Sequence, residues 1–114
     1  MNLQRFKDLV ERFLVRTAED VSLLQAQHSA AQTGDRSALS AMQQLAHRIN
    51  GSSAMLGFKS ISAAAAHIES MLRQHDMSGE SVDWQALQQA MHALEQSLLS
   101  QQTENAHDGK RDDV

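Results

Sequence analysis

The residues between positions 47 and 57 have the types and spacing of a reactive histidine with small neighbours. His47, Gly51, Ser52, Ser53 and Gly57 follow one another in the order H-x-x-x-G-S-S-x-x-x-G. An unperturbed imidazole has a pKa of about 6.5, so near pH 7 it is largely neutral and can act as a nucleophile. A glycine one turn after the histidine leaves the ring open to a large molecule, although glycine costs a helix about 0.5–1 kcal/mol. The pattern therefore indicates a histidine that another molecule can approach.

The same stretch is predicted to be helical. Apolar or small residues recur at steps of three and four, which is the period of an amphipathic helix; they are Leu39, Met42, Leu45, Ala46, Ile49, Ser53 and Leu56. At about 100° per residue, His47 lies roughly 140° from the middle of this stripe. We therefore expect His47 to point away from the core or along its edge.

Acidic residues avoid this region of the chain. The sequence has 14 Asp and Glu residues, but none lies between Asp35 and Glu69. A solvated helix face normally carries both signs of charge, so this face is predicted to be a contact surface that tolerates an anion. We refer to it as the predicted docking surface; it consists of Gln43, Gln44, Arg48, Ala54, Met55 and Phe58.

The pattern resembles the signature of histidine-containing phosphotransfer (HPt) domains of multistep two-component phosphorelays. The helical periodicity on both sides extends the resemblance over roughly residues 3 to 100. The resemblance implies that His47 accepts a phosphoryl group from an aspartyl phosphate on a receiver domain and passes it to another receiver. It also implies that the receiver brings Mg²⁺ and an acidic pocket, so that this chain is a phosphoryl carrier without a cofactor of its own.

The resemblance further implies the partners, which are response-regulator receiver domains and a hybrid histidine kinase. It implies a monomer. Neither nucleic acid nor a membrane is expected as a partner, on the grounds of composition given below. One position departs from the family pattern, because the family usually has lysine three residues after the histidine and this chain has Asn50. The departure keeps an alternative open, in which the chain is a helical adaptor that binds a receiver or a histidine kinase without being phosphorylated.

Glu69 and Arg73 are the charged residues that a bundle would bring near His47. In an antiparallel arrangement, the third helix returns past His47 at about Glu69, and Arg73 follows one turn later. One interpretation is a surface ion pair at i,i+4 spacing, worth a few tenths of a kcal/mol. In the other, Glu69 orients the imidazole and Arg73 offsets phosphoryl charge, which Asn50 cannot do.

Besides the phosphoryl carrier and the adaptor, a third interpretation of the protein's function is a small metal- or ligand-binding bundle. His67, Met71 and His75 share a helix face at i, i+4 and i+8 spacing. No carboxylate joins them at ligand spacing, and the H-E-x-x-H motif of zinc sites does not occur. The sequence therefore predicts no metal site.

Composition places the chain among small helical domains. It has 114 residues, 41% of them hydrophobic, with neither proline nor cysteine, which leaves no room for a separate ATP-binding domain and excludes disulfides. Its start lacks the apolar run of a signal peptide, and no stretch has the length needed to span a bilayer. A net charge of −4 argues against nucleic acid as a partner. A cytoplasmic protein is expected.

Four amphipathic segments with short connections predict an all-α fold, an antiparallel up-down four-helix bundle. The predicted segments are 3–32, 37–56, 61–75 and 84–101, with caps at Gly34, Asp35, Gly57, Ser60 and Asp83 and a loop over 77–81. The first segment would span about 45 Å, so it either overhangs the bundle or breaks near residues 15–17. The resemblance favours a break, with a short extra N-terminal helix. Residues 1–102 are predicted to form the bundle and 103–114 a disordered charged tail.

Overall fold

Four α-helices make up the protein in the computed structural model, which describes residues 2–78 and 81–112. They are α1 (Leu3–Gln32), α2 (Arg36–Leu56), α3 (Lys59–Ser78) and α4 (Trp84–Asp112). Each helix packs on the next one along the chain, and α4 returns to contact α1. The predicted all-α four-helix bundle is confirmed. None of the helices in the described ranges is both long and apolar enough to cross a membrane.

Three helix ends follow the predicted capping residues Asp35, Gly57 and Asp83. Helix α1 instead has Thr33 as its C-cap, and Gly34, predicted as that cap, follows it with φ +106°. Asp35 accepts from the backbone N–H of Ser37 at the start of α2, and Gly57 ends α2 in the left-handed conformation with φ +82°. Asp83 accepts from the backbone N–H of Ala86 at 3.0 Å at the start of α4. The prediction of Ser60 as a cap is wrong, because the left-handed turn at Gly57 lets the chain re-enter a helix at Lys59.

Helix α1 is continuous over 30 residues, so the short extra N-terminal helix favoured by the resemblance is not present in the described part of the chain. Val15 and Thr17 weaken a helix only slightly, and the sequence of α1 contains neither glycine nor proline. Residues of the core begin only at Phe13, whereas Leu3 is 69% exposed. The first turns of α1 therefore overhang the bundle.

Helix α4 is also longer than predicted, because it continues past Gln101 to Asp112. Its last part runs beside the overhang of α1, where Gln101, Glu104 and Asn105 line a groove together with Phe6. This contact gives residues beyond 101 a partner that their polar sequence did not indicate. The predicted boundary between bundle and tail at residue 102 stays a prediction, and residues 113 and 114 lie outside the described residues.

Helix α3 ends at Ser78, so the predicted loop over 77–81 is shorter than expected. Met77 and Ser78 have helical backbone, and residues 79 and 80 of that loop lie outside the described residues.

The core runs along the inner faces of all four helices. Its fully buried side chains include Leu24, Met42, Ile49, Ile61, Ile68, Leu87 and Leu94. His28 of α1 is buried with them and packs edge-on against Trp84 of α4, with ring centroids 5.8 Å apart. Burial lowers the pKa of His28, because the charged imidazolium loses its hydration.

Candidate functional site

His47 projects from α2 into solvent and is held by one ring nitrogen. Its side chain is 74% exposed, and its Nδ1 lies 2.5 Å from Oε2 of Glu69 on α3. A carboxylate can only accept, so Nδ1 carries the proton and donates it to Glu69. In the neutral imidazole, the proton-free lone pair then lies on Nε2, the other ring nitrogen.

Glu69 is a buried carboxylate that serves two partners. It is 8% exposed, and the oxygen that accepts from His47 also lies 3.3 Å from Nη2 of Arg73, one turn further along α3. The structure thus contains the predicted i,i+4 ion pair and also places Glu69 against the imidazole. The roles of Glu69 and Arg73 toward a phosphoryl group stay predictions.

Asn50 takes part in the contact between α2 and α3. Its side-chain oxygen accepts a hydrogen bond of 2.5 Å from the hydroxyl of Ser62. Ser62 was not among the residues singled out from the sequence, because a serine next to a predicted helix start gives no sign of a partner twelve residues away. Asn50 therefore joins the two helices one turn from His47 and brings no positive charge.

Of the small residues after His47, two are exposed and one is buried. Gly51 and Ser52 face solvent, whereas Ser53 is fully buried and its hydroxyl donates to the Ile49 carbonyl oxygen at 2.5 Å. A methyl group added at Gly51 would meet no heavy atom within 4 Å in the part of the chain that the structure describes. The fold itself thus gives no reason for a glycine at this position.

Replacing Gly51 with alanine is therefore expected to stabilise the protein and, if His47 accepts a phosphoryl group as the resemblance implies, to slow its uptake. The free energy of unfolding should rise by about 0.5–1 kcal/mol, because alanine has the higher helix propensity. Gly51→Leu should gain similar stability and slow phosphoryl uptake more than Gly51→Ala, since the larger side chain lies one turn from His47. Urea unfolding and the rate of uptake from a receiver measure the two effects. Equal uptake rates in the wild type and both variants would show that the glycine does not serve access.

Part of the predicted docking surface packs against other residues of the protein. Gln44, Ala54 and Met55 are exposed, and Met55 is 88% exposed. Gln43 is half-buried. Phe58 is also half-buried, and its ring is stacked on Phe13 of α1 at a centroid distance of 4.9 Å. Of the two apolar residues predicted for this surface, Met55 is therefore the one that solvent reaches freely.

Arg48 binds across the interface between α2 and α1. Its Nη2 and Nε lie 2.6 and 3.2 Å from the two carboxylate oxygens of Asp20. Asp20 is 4% exposed, and its hydrogen bond and negative charge raise the pKa of Arg48. Sequence reasoning missed Asp20, although a carboxylate on the apolar stripe between Thr17 and Val21 is itself a signal, because buried carboxylates need partners.

Within the described ranges, no three His, Asp or Glu side chains are grouped so that they could hold a metal ion. His67 is exposed and Met71 is half-buried on α3. The histidine pair that the third interpretation used therefore lacks the carboxylate that a metal site would need.

The fold and the site together define a class of protein. A four-helix bundle that presents an exposed histidine, oriented by a buried carboxylate, offers a nucleophile to a second macromolecule. The model of the family described as Hpt domain matches residues 8–97, so the chain belongs to the Hpt domain family, as its sequence predicted. Membership implies phosphotransfer in two-component signalling by a phosphocarrier module that interacts with receiver domains and kinases. Comparisons with curated proteins and with solved structures gave no match.

Proposed function

We propose that this protein is a phosphorelay intermediate in which His47 is the phosphoryl acceptor. The observation that carries the proposal is the hydrogen bond between Nδ1 and Glu69 on a ring that is 74% exposed. This bond fixes the proton on Nδ1 and leaves Nε2 as a nucleophile that faces solvent. The donor would be an aspartyl phosphate of one receiver domain, and the final acceptor an aspartate of another.

The transfer needs little from this chain beyond the positioned ring. The Nε2 lone pair attacks phosphorus, an N–P bond forms, and the P–O bond to the aspartate breaks as the carboxylate leaves with its electron pair. In the second transfer, an aspartate oxygen attacks phosphorus and Nε2 leaves with its electron pair. Phosphoryl transfer depends on in-line positioning and charge neutralisation, and in this proposal Mg²⁺ bound to the receiver supplies most of the neutralisation.

The remaining expectations from the sequence become part of this proposal. The chain would act as a monomer in the cytoplasm and would exchange phosphate with a hybrid histidine kinase and with a response regulator. It would act as a carrier, because the ATP-dependent step belongs to the kinase.

A second candidate function is the adaptor that binds a receiver without being phosphorylated. Asn50 favours it, because the position where the family usually has lysine brings no cation, and the amide oxygen is bound to Ser62. In that case the docking surface would be used without the chemistry of His47.

Transfer of labelled phosphate from a phosphorylated receiver domain separates the two candidates. Wild type should take up label that is labile in acid and stable in base, whereas His47→Gln should keep its fold and take up none. His92→Gln is the matched control, because His92 is an exposed histidine on α4, and it should behave as wild type. If wild type binds receivers from a panel but takes up label from none of them, the adaptor function replaces the relay.

A further inference from the structure

His28 is a titratable residue of the core whose ring is not fully hydrogen-bonded. It lies near the end of α1 and is 9% exposed, and its Nε2 is buried without a hydrogen-bond partner among the residues that the structure describes. A neutral imidazole carries a proton on one ring nitrogen, whereas the imidazolium carries a proton on both. Protonation would therefore bury a charge and an N–H donor without compensation. The site of His28 thus favours the neutral ring.

The ring of His28 packs against the first residue of α4. Trp84 meets it edge-on, with the ring centroids 5.8 Å apart, and is half-buried. Asp83 precedes Trp84, and its backbone and side-chain oxygens accept from the backbone N–H groups of Leu87 and Ala86. The contact between the two rings therefore joins the first turn of α4 to α1.

On the side of α3, the first turn of α4 borders a cavity. The cavity has a volume of about 220 Å³, and its walls include Met71 and His75 of α3 and Val82 and Asp83 before α4. A cavity wall lacks packing contacts on its open side, and Leu87 is the first residue of α4 that is fully buried. The contact with α1 therefore supplies much of what holds the turn before Leu87.

The helix that carries His28 offers it no compensating charge. The sequence from Val21 to Gln32 contains no charged residue besides the histidine itself. Among the described residues, the other charged or titratable residues at this end of the bundle are Asp35, Arg36, His75, Asp76 and Asp83. Asp35 and Asp83 each use a carboxylate oxygen to cap a helix. Burial lowers the pKa of His28, which is the direction expected for a desolvated imidazole.

We propose that His28 and Trp84 form an acid-sensitive contact, in which neutral His28 holds the first turn of α4 against α1 and protonation releases that turn. Release lets the imidazolium reach water and costs α4 only the turn before Leu87. The proposal goes beyond the proposed function, because His47 lies eleven residues after Arg36, about 16 Å along α2 from this end of the bundle. Acidification would therefore open this end while the site around His47 keeps its structure.

The direction of the pH dependence follows from the two forms, closed and released. Above pH ~6.5, the ordinary pKa of histidine, His28 is neutral in both forms and the closed form has its full stability. As the pH falls below that value, the released form binds a proton, whereas the closed form does so only when the pH passes the lowered pKa of His28. Between these two pH values, the ratio of released to closed protein should rise by up to about tenfold for each pH unit.

Hydrogen exchange at two pH values tests the proposal in the full chain. The Leu87 amide donates to the Asp83 carbonyl oxygen at 3.0 Å and reports on the first turn of α4, whereas the amide of the fully buried Leu94 reports on the core of the same helix. From about pH 7.5 to about pH 5.5, where carboxylates stay ionised, the protection factor of Leu87 should fall about five- to tenfold. That of Leu94 should stay the same. Trp84 is the single tryptophan of the chain, so the fluorescence of the protein should change over the same range.

Two variants assign the effect to His28. His28→Phe keeps an aromatic ring against Trp84 but cannot take up a proton, so the pH dependence of Leu87 protection should disappear. His75→Gln removes the histidine of α3 at this end of the bundle and should behave as wild type. NMR titration of the His28 ring in the wild-type protein needs no substitution and should give a pKa below ~6.5.

Four results would overturn the proposal. They are equal protection of Leu87 in wild type at the two pH values, persistence of the pH dependence in His28→Phe, its loss in His75→Gln, and a pKa of His28 at or above the ordinary value. None of these measurements involves phosphoryl transfer, so their outcome is independent of whether His47 is the acceptor.

Discussion

Replacing Glu69 with alanine is expected to slow phosphoryl uptake by His47 by about 10–100-fold, the range found when the outer partner of a metal-bound histidine is removed. The buried carboxylate holds the Nδ1 proton and the ring orientation through a contact of 2.5 Å. Without it, the imidazole can rotate, and its proton can move to Nε2 and block the nucleophile. Single-turnover kinetics with a saturating phosphorylated receiver measures this effect, because docking is then complete.

Two variants distinguish orientation of the ring from a change in charge. Arg73→Gln removes the ion pair with Glu69 but keeps the hydrogen bond to His47, so its uptake rate should stay much closer to wild type. Glu69→Gln can still accept from Nδ1 and should fall between wild type and Glu69→Ala. The affinity for the receiver should be unchanged in all three. If Glu69→Ala retained the wild-type rate, the hydrogen bond would have no part in transfer.

Replacing Arg48 with alanine is expected to destabilise the fold by about 2–3 kcal/mol, because it leaves the Asp20 carboxylate buried without its main partner. The side chain of Asp20 is 6% exposed, whereas that of Arg48 is 47% exposed. This loss of stability is smaller than the usual cost of breaking a fully buried ion pair, because water reaches Arg48. Arg16 lies 4.0 Å from the same carboxylate and compensates in part. Thermal unfolding should show a midpoint lowered on the order of 10 °C.

A double-mutant cycle with Asp20→Leu, Arg48→Met and the two combined isolates the interaction between the two side chains. Asp20→Leu/Arg48→Met removes both charges and replaces them with apolar groups of similar volume, so much of the lost stability should return. Arg48→Lys keeps a charge but loses the two-pronged contact, and it should fall between wild type and Arg48→Ala. If the double variant were less stable than Arg48→Ala, the ion pair would not be the source of the loss.

The position of His47 and its nearest charged neighbour followed from the sequence. The apolar period of α2 predicted that the ring points outward, and its side chain is 74% exposed. Counting residues back from the turn at Gly57 predicted that Glu69 lies level with His47, and their side chains are in contact. Both predictions depend only on helix geometry and on a short connection between antiparallel helices, which a sequence pattern defines well.

Features that depend on contacts between distant helices were harder to predict. Helix α1 stays continuous where its first turns overhang the bundle, and there it contacts the last part of α4. The polar sequence of that part of α4 predicts a tail, so the contact could not be foreseen. The bond between Arg48 and Asp20 joins residues 28 positions apart, and periodicity gives no sign of such pairs.

His47 and Arg73 share one oxygen of Glu69. This arrangement affects how strongly His47 would hold a phosphoryl group. A phosphoryl group on Nε2 would lie across the ring from a carboxylate, and the nearby guanidinium already neutralises that carboxylate. Asn50, bound to Ser62, brings no further cation. The protein thus offers a phosphoryl group little electrostatic attraction of its own, so the phosphorylated histidine would gain little stability from its surroundings. Such weak retention would suit the proposed relay intermediate, which must release the phosphoryl group to the next partner as readily as it receives it.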